Sequence, residues 1–396
     1  MLEGRDRFEV VSMKHCFLTV FIFLSLCVDS FALTKEQFYQ SGLLNLAQGR
    51  YDSAIADYSQ AIAQDAQFKD AYLQRGVAYF KKGLNDKAIF DFNKVTAADP
   101  ENFEAYKNRA AAYATLGVFN NAIHDYTRAL ELKPDEAALY NSRGLAYANK
   151  KMYEQAVGDF SKSIQLHPSA VDVYYNRGIA NGILRLFDAA VSDFSKAIAL
   201  GIDDKNVYYK RGKIYQELQF YDKAFADYSK AIELGPEHPE YYFDRATVAG
   251  LKGLYDIAIS DFTVALELNP TDADSFFNRG RVYEELSFDA KAISDYSSAL
   301  RIDPKDTAAL NARGLAYAKV GKLDAAIEDL SRFIKYDATD ENVFLSRGYV
   351  FMDKKMYDKA ENDFRRSLAL KPSSKKAFEA LEELQKKRAI LLRSSK

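Results

Sequence analysis

An Arg-Gly or Arg-Ala dipeptide recurs at Arg75, Arg109, Arg143, Arg177, Arg211, Arg245, Arg279, Arg313 and Arg347, always 34 residues from the last and without insertion. A fixed period of this length marks a repeat array. Each copy is too small to bury its own apolar face and must stack on its neighbours, so no conventional domain count applies. Placing the glycine or alanine of the dipeptide at position 8 puts ten units in register, from Lys35 to Ser374.

The register orders the remaining residues. Position 4 is a single ring in every unit except at Leu310, position 20 is alanine in all ten, and position 24 is aromatic except at Leu330. Position 32 holds seven of the eight prolines, and proline cannot continue a helix. Glycine stands at position 15 in five units (Gly49, Gly83, Gly117, Gly253, Gly321), where it can end a first helix in a left-handed conformation. Aspartate at position 18, as in Asp52 and Asp222, is expected to cap a second helix. Each unit therefore reads as helix A, a tight turn, helix B and a proline turn. The small residues at positions 8 and 20 are expected to let the two backbones approach, with the rings at 4, 11 and 24 filling the space above and below that contact.

Position 7 lies on the inward stripe of helix A, where an arginine is costly unless it is paired. Position 23, sixteen residues on, is aspartate in all ten units. Antiparallel packing of the two helices brings positions 7 and 23 together. The expected couples are Arg75 with Asp91, Arg109 with Asp125, Arg143 with Asp159, Arg177 with Asp193 and Arg211 with Asp227. Arg245 with Asp261, Arg279 with Asp295, Arg313 with Asp329 and Arg347 with Asp363 complete the set. A planar guanidinium suits such bidentate pairing better than an ammonium. Unit one has Ser41 at position 7, so pairing within units leaves Asp57 over, whereas pairing with the following unit leaves Asp363 over. Unit nine has leucine at both ring positions, Leu310 and Leu330, but gains Phe333 at position 27, so its ring has moved.

The pattern Y/F-x2-R-G-x2-Y … A-x3-Y/F … P resembles the tetratricopeptide repeat. The resemblance implies an all-α fold, a right-handed superhelical solenoid of ten helix-turn-helix units whose groove is lined mainly by the A helices. It also implies a protein that binds partners and is not an enzyme. Two residues depart from the family pattern: a single ring replaces tryptophan at position 4, and arginine replaces leucine at position 7. The organisation that follows is a signal segment at 1–32, the repeats at 33–374, and a capping helix with a basic tail at 375–396. The tail cations (Lys386, Lys387, Arg388, Arg393, Lys396) read first as a solvated end and second as a contact for an acidic partner or lipid.

Fifty-four basic residues against 56 acidic ones give no global field for nucleic acid. The histidines His15, His124, His167 and His238 form no metal-like spacing, no glycine-rich phosphate loop is present, and no cofactor is expected. Binding must then come from positions that vary while the frame repeats. The resemblance assigns the groove to positions 2, 5, 6, 9, 12 and 13. Position 5 is aromatic in four consecutive units (Tyr175, Tyr209, Phe243, Phe277). Beside these lie Asn176, Lys210, Asp244 and Asn278 at position 6, and Lys213 and Arg281 at position 9. Such a ladder can grip an extended peptide by stacking and charge-assisted hydrogen bonds. The alternative is packing between A helices, with Glu217 and Glu285 neutralising Lys213 and Arg281. The family's basic and asparagine arrangement for a C-terminal carboxylate has no match, because Lys107 at position 5 is followed by Ala111 at position 9. The expected partner is a protein or peptide; the alternative ligand is an envelope glycan stacked on the rings.

Residues 16–28 form an uncharged apolar run after Met13-Lys14-His15, closed by Ser30-Phe31-Ala32. That is the pattern of a secretory signal cleaved after Ala32, and it places the protein outside the cytoplasm. An uncleaved anchor and lipid attachment at Cys27 are the alternatives. Membrane contact is expected only through this segment, if it is retained, or through the basic tail. Cys16 and Cys27 are the only cysteines, so the processed chain has no thiol.

Overall fold

The computed structural model describes residues 33–394, with side chains as far as 390. The proposed export signal lies outside the described residues. Twenty-one α-helices follow one another from α1 (Lys35–Ala47) to α21 (Lys375–Ser394), and none of the described residues is in a strand. They form tandem helical hairpins such as α1 with α2 (Tyr51–Gln64). Helix A occupies positions 1–13 and helix B runs from position 17 to about position 30. No helix among the described residues is long and apolar enough to cross a membrane.

The chain divides into two compact bodies, one ending at Leu186 and the other starting at Phe187. Unit five is split between them: its helix A, Val171–Ile183, belongs to the first body, and its helix B, Phe187–Ala199, to the second. Within each body every helix packs against its neighbours in sequence.

The turn from A to B depends on one backbone conformation. Position 15 has positive φ in all ten units. Glycine supplies it in five, and Lys151, Arg185, Gln219, Ser287 and Lys355 adopt it at φ of 59° to 61° in the others. A side chain there costs about 1–2 kcal/mol, because its Cβ crowds the backbone carbonyl. Lys151→Gly, Gln219→Gly, Ser287→Gly and Lys355→Gly are each expected to stabilise the protein by up to about 1 kcal/mol. Urea midpoints of the four variants should all rise.

Position 18 does not cap helix B. The N-cap is position 16, and none of the nine caps described for B helices makes a side-chain hydrogen bond. The position-18 carboxylate sits inside the first turn, where the helix dipole favours it. It takes a cation from the next unit, as in Lys252 with Asp222 at 2.5 Å and Lys82 with Asp52.

The core is a repeated contact between position 8 and the side chain at position 24. A Cβ added to Gly144 would lie 2.7 Å from the ring of Phe160, and one added to Gly348 would meet Phe364 as closely. The ring at 24 is therefore seated directly on the glycine rather than above or below it. Phe92, Phe160, Tyr228, Tyr296 and Phe364 are completely buried there. In unit nine Leu310, Leu330 and Phe333 share one buried cluster with Val343 and Phe344, so the displaced ring fills the same core. The last helix, α21, buries Ala377, Ala380 and Leu384 against unit ten, while Phe378 is exposed.

Candidate functional site

Two sets of residues decide what the array can do: the charges that fix its geometry and the side chains that its A helices present. In unit four Arg143 donates from Nε to Asp159 Oδ2 at 2.8 Å and from Nη2 to Oδ1 at 2.8 Å. The same fork joins Arg75 to Asp91, Arg109 to Asp125, Arg211 to Asp227 and Arg245 to Asp261. It recurs between Arg279 and Asp295, Arg313 and Asp329, and Arg347 and Asp363. All eight couples lie within one unit. For the ninth position, Arg177 is in the first body and Asp193 in the second. The carboxylates are buried, and the arginine side chains retain 14–19% exposure. The Asp159 carboxylate holds the Arg143 guanidinium above its ordinary range, while burial opposes it.

The remaining arginine nitrogen does something that the pairing argument did not anticipate. Nη1 of Arg143 reaches back to Thr127 Oγ1 of unit three at 3.0 Å. Arg75 reaches Ser59, Arg177 reaches Ser161, Arg211 reaches Ser195 and Arg347 reaches Ser331 in the same way. The acceptor is position 25 of the preceding unit, to which Arg109 adds Thr96 at position 28 beside Asn93. One guanidinium thus closes its own hairpin and ties that hairpin to the one before. Rings at positions 4 and 11 flank it, Tyr140 at 5.7 Å and Tyr147 at 5.9 Å from the Arg143 guanidinium carbon. This explains the abundance of single rings: they cover a cation and leave its in-plane N–H groups free to bond. The signal was present in the sequence. Position 25 is serine, threonine or asparagine in the nine units followed by an arginine, and it becomes Arg365 in the last.

Unit one corrects the expectation that one aspartate is left over. Asp57 accepts from Ser41 Oγ and from Asn45 Nδ2, both at 2.7 Å. Two neutral side chains do the work of the missing guanidinium. The same unit also leaves a buried hydroxyl unsatisfied. Tyr228 and Tyr296 donate to Gln216 and Glu284 at position 12, each at 2.7 Å, whereas buried Tyr58 has Leu46 at that position and its hydroxyl is unpaired.

The A-helix faces are less uniform. Of the aromatic ladder, Tyr175 lies in the first body and Tyr209, Phe243 and Phe277 in the second. All four rings are half-buried. Three of them lean on the position-24 ring of their own unit: Tyr209 on Tyr228 at 5.8 Å, and Phe243 on Phe262 and Phe277 on Tyr296 at 5.7 Å. Tyr209 donates its hydroxyl to Asp244 Oδ2 at 2.7 Å, and Lys213 Nζ meets the same carboxylate at 3.1 Å and 3.2 Å. Burial, followed by this carboxylate, pushes the Tyr209 phenol up. Asp244, at position 6, is buried and links units six and seven, so it serves the packing between A helices and not an open face.

The other position-6 and position-9 residues are more open. Asn176 donates to Asn141 at 3.4 Å, and Asn278 turns onto the Asp274 carbonyl of its own helix at 2.9 Å. Lys210 is half-buried and Arg281 exposed. Of the basic tail, Arg388 is held by Asp358 and Glu361, and Lys387 by Glu383. Among the described residues no group of His, Cys, Asp and Glu could hold a metal ion.

Comparison with known proteins agrees with this architecture. Family profiles described as tetratricopeptide repeat match residues 103–136, 206–238, 69–102, 137–169, 243–307 and 311–375, and one described as TPR repeat matches 42–83. No curated protein sequence matches the chain. Among solved structures, the C-terminal part of a TPR repeat-containing protein from Cytophaga hutchinsonii is 20% identical. That match covers 61% of this chain and 98% of the other, with a TM-score of 0.53, and the likeness is one of fold. YrrB, a TPR protein with an unusual peptide-binding site, is 26% identical, with 48% of this chain and 97% of that one covered and a TM-score of 0.45. PilF of Pseudomonas aeruginosa is 22% identical, with 55% and 96% covered and a TM-score of 0.43. With profile matches spread from residue 42 to residue 375 and paired helices throughout the described residues, the chain belongs to the tetratricopeptide repeat family.

Proposed function

We propose that the protein is an exported scaffold that binds an extended segment of a partner protein on the face formed by its A helices. Membership of the family makes it a protein–protein interaction scaffold. The observation that carries the finer reading is the contrast between a copied frame and a variable face. Positions 7, 20, 23 and 25 scarcely change. Position 9 runs Leu43, Val77, Ala111, Leu145, Ile179 and then Lys213, Thr247, Arg281. A structural requirement alone would repeat itself at position 9 as it does at position 23. The half-buried, tilted rings of the ladder favour a peptide over a glycan, since sugars need an open ring face.

Lys210 and Arg281 are the cations of this face best placed to meet a carboxylate. A pull-down from an envelope extract with the wild-type chain is expected to recover a protein that Lys210→Glu/Arg281→Glu does not, with the melting temperatures of the two unchanged. Equal recovery by both would discard this face. Export is tested separately, by the N-terminal residue of the protein recovered from its native compartment, expected to be Leu33.

A further inference from the structure

In unit seven a hollow of about 310 Å³ opens beside the aromatic ladder, lined by Pro239, Glu240, Phe243, Asn269, Asp272 and Asp274. These are positions 1, 2, 5, 31 and 34 of the unit and position 2 of the next. Phe243 is half-buried, and Glu240 and Asp274 are exposed. No lysine or arginine is among the six lining residues. Among the described residues, none pairs with the carboxylates either. Glu240 has the His238 imidazole beside it at 3.1 Å, Asp272 accepts from the Ser275 hydroxyl, and Asp274 has no ion pair. Asp272 is also the N-cap of the next helix A, yet its carboxylate takes no backbone N–H, whereas that of Asp306 in the same place takes two.

The same positions in other units show what the chain itself puts there. In unit one Lys35, at position 1, sets its ammonium 2.6 Å from Asp65, 3.7 Å from Glu36 and 5.3 Å from the centre of the Phe68 ring. Those acids are positions 31 and 2, and that ring is position 34. In unit three Lys133, at position 31, lies 4.2 Å from the centre of the Phe103 ring at position 1. Lys69 meets Asp99 at 3.2 Å, Lys205 meets Glu237 at 2.6 Å and Lys371 meets Glu341 at 2.8 Å. In five units, then, a lysine at position 1 or 31 supplies an ammonium to an acid or a ring of its own unit. In unit seven those two positions hold Pro239 and Asn269, while the ring and the acids remain. Units four, eight and nine also lack the lysine. Units four and nine, however, have Asn141 and Asn311 in place of the ring, and in unit eight Asp303 and Asp306 accept backbone N–H groups.

We propose that the hollow at Phe243 receives a lysine side chain of the partner segment, whose ammonium takes the place that Lys35 holds in unit one. The inference rests on the A-helix face being the binding face, and it adds a basic residue to the segment that meets it. The ring quadrupole and the unpaired carboxylates attract the same cation. The cations of the surrounding face do not cancel this attraction. Lys205 is held by Glu237 and Lys213 by Asp244, which leaves Lys210 and Arg281 against Glu240, Asp272, Asp274 and Glu285.

The chain contains no tryptophan, so Phe243→Trp keeps a ring in the hollow and makes it a reporter. The full-length variant is titrated with acetyl-Ser-Lys-Ser-amide, with the same peptide carrying Nε-acetyl-lysine, with putrescine and with magnesium chloride. The lysine peptide is expected to change the tryptophan emission with saturation, at a concentration about tenfold below that needed with the acetylated peptide. Equal responses to the two peptides overturn the proposal. So does an equal response to magnesium, the mark of a general acidic surface, or a response to putrescine without one to the lysine peptide, which assigns the hollow to a free diamine.

Asn269→Lys restores the cation that units three and ten carry at position 31. It is expected to melt at or above the wild-type temperature and to abolish the response to the lysine peptide. Unchanged binding by this variant overturns the proposal, because a hollow filled from within cannot take a second cation. If Phe243→Trp melts well below the wild type, calorimetry on the wild-type chain and on Asn269→Lys reads the same comparison. Failure here, with a Lys210→Glu/Arg281→Glu pull-down that still loses its partner, leaves the binding face standing and removes only the lysine. A lysine response with equal recovery in the pull-down does the reverse.

Discussion

Asp227→Ala is expected to destabilise the second body by about 3–5 kcal/mol, because it strands a largely buried guanidinium that has lost both bonds of its fork. Ser195→Ala, which removes the third bond of the same arginine, should cost about 0.5–1.5 kcal/mol. The ordering follows from where the carboxylate sits: it is buried and accepts two charge-assisted bonds, whereas the half-buried serine accepts one. Urea titration followed by circular dichroism reads both numbers. Near-equal losses would mean that the arginine is anchored as much by the neighbouring unit as by its own hairpin.

Phe160→Ala should cost a comparable amount, about 3–5 kcal/mol. The ring is completely buried, and a Cβ added to Gly144 would already be too close to it, so removal leaves a cavity lined by two backbones that cannot readily close. Amide exchange should quicken first in Ala137–Asn149 and Tyr153–Leu166, the two helices of that hairpin, since each unit leans mainly on its neighbours. Uniform quickening across the first body would show that its repeats open together.

Much of this was readable because the sequence states it ten times. The period, the proline turns and the pairing of position 7 with position 23 rest on residues that scarcely vary. The tie from arginine to position 25 was equally visible, but it requires knowing that a fork satisfied on one side still has a free nitrogen facing the previous unit. Aspartate at position 18 has the chemistry of an N-cap without its place. The backbone enters the helix two residues earlier, after a left-handed residue that is glycine in only half of the units. Side-chain identity could not reveal that Lys151 or Gln219 adopts a conformation suited to glycine.

The binding face was the least legible part. The ladder of rings was noticed as a pattern at one position, yet each ring has its own tertiary neighbour. Tyr209 is committed to Asp244, a residue 35 positions away that carries no repeat signature. Partner-facing residues vary by nature, so periodicity, which located everything else, says least about them.

The claim on which the rest depends is that each arginine and aspartate act as one unit within a hairpin. A double-mutant cycle on Arg211→Leu and Asp227→Ala measures this directly. The account predicts that the double variant loses less stability than the two single losses added together, with a coupling of about 2–3 kcal/mol. Additive losses, with no coupling beyond error, would show that the two side chains stabilise the protein independently and would contradict it.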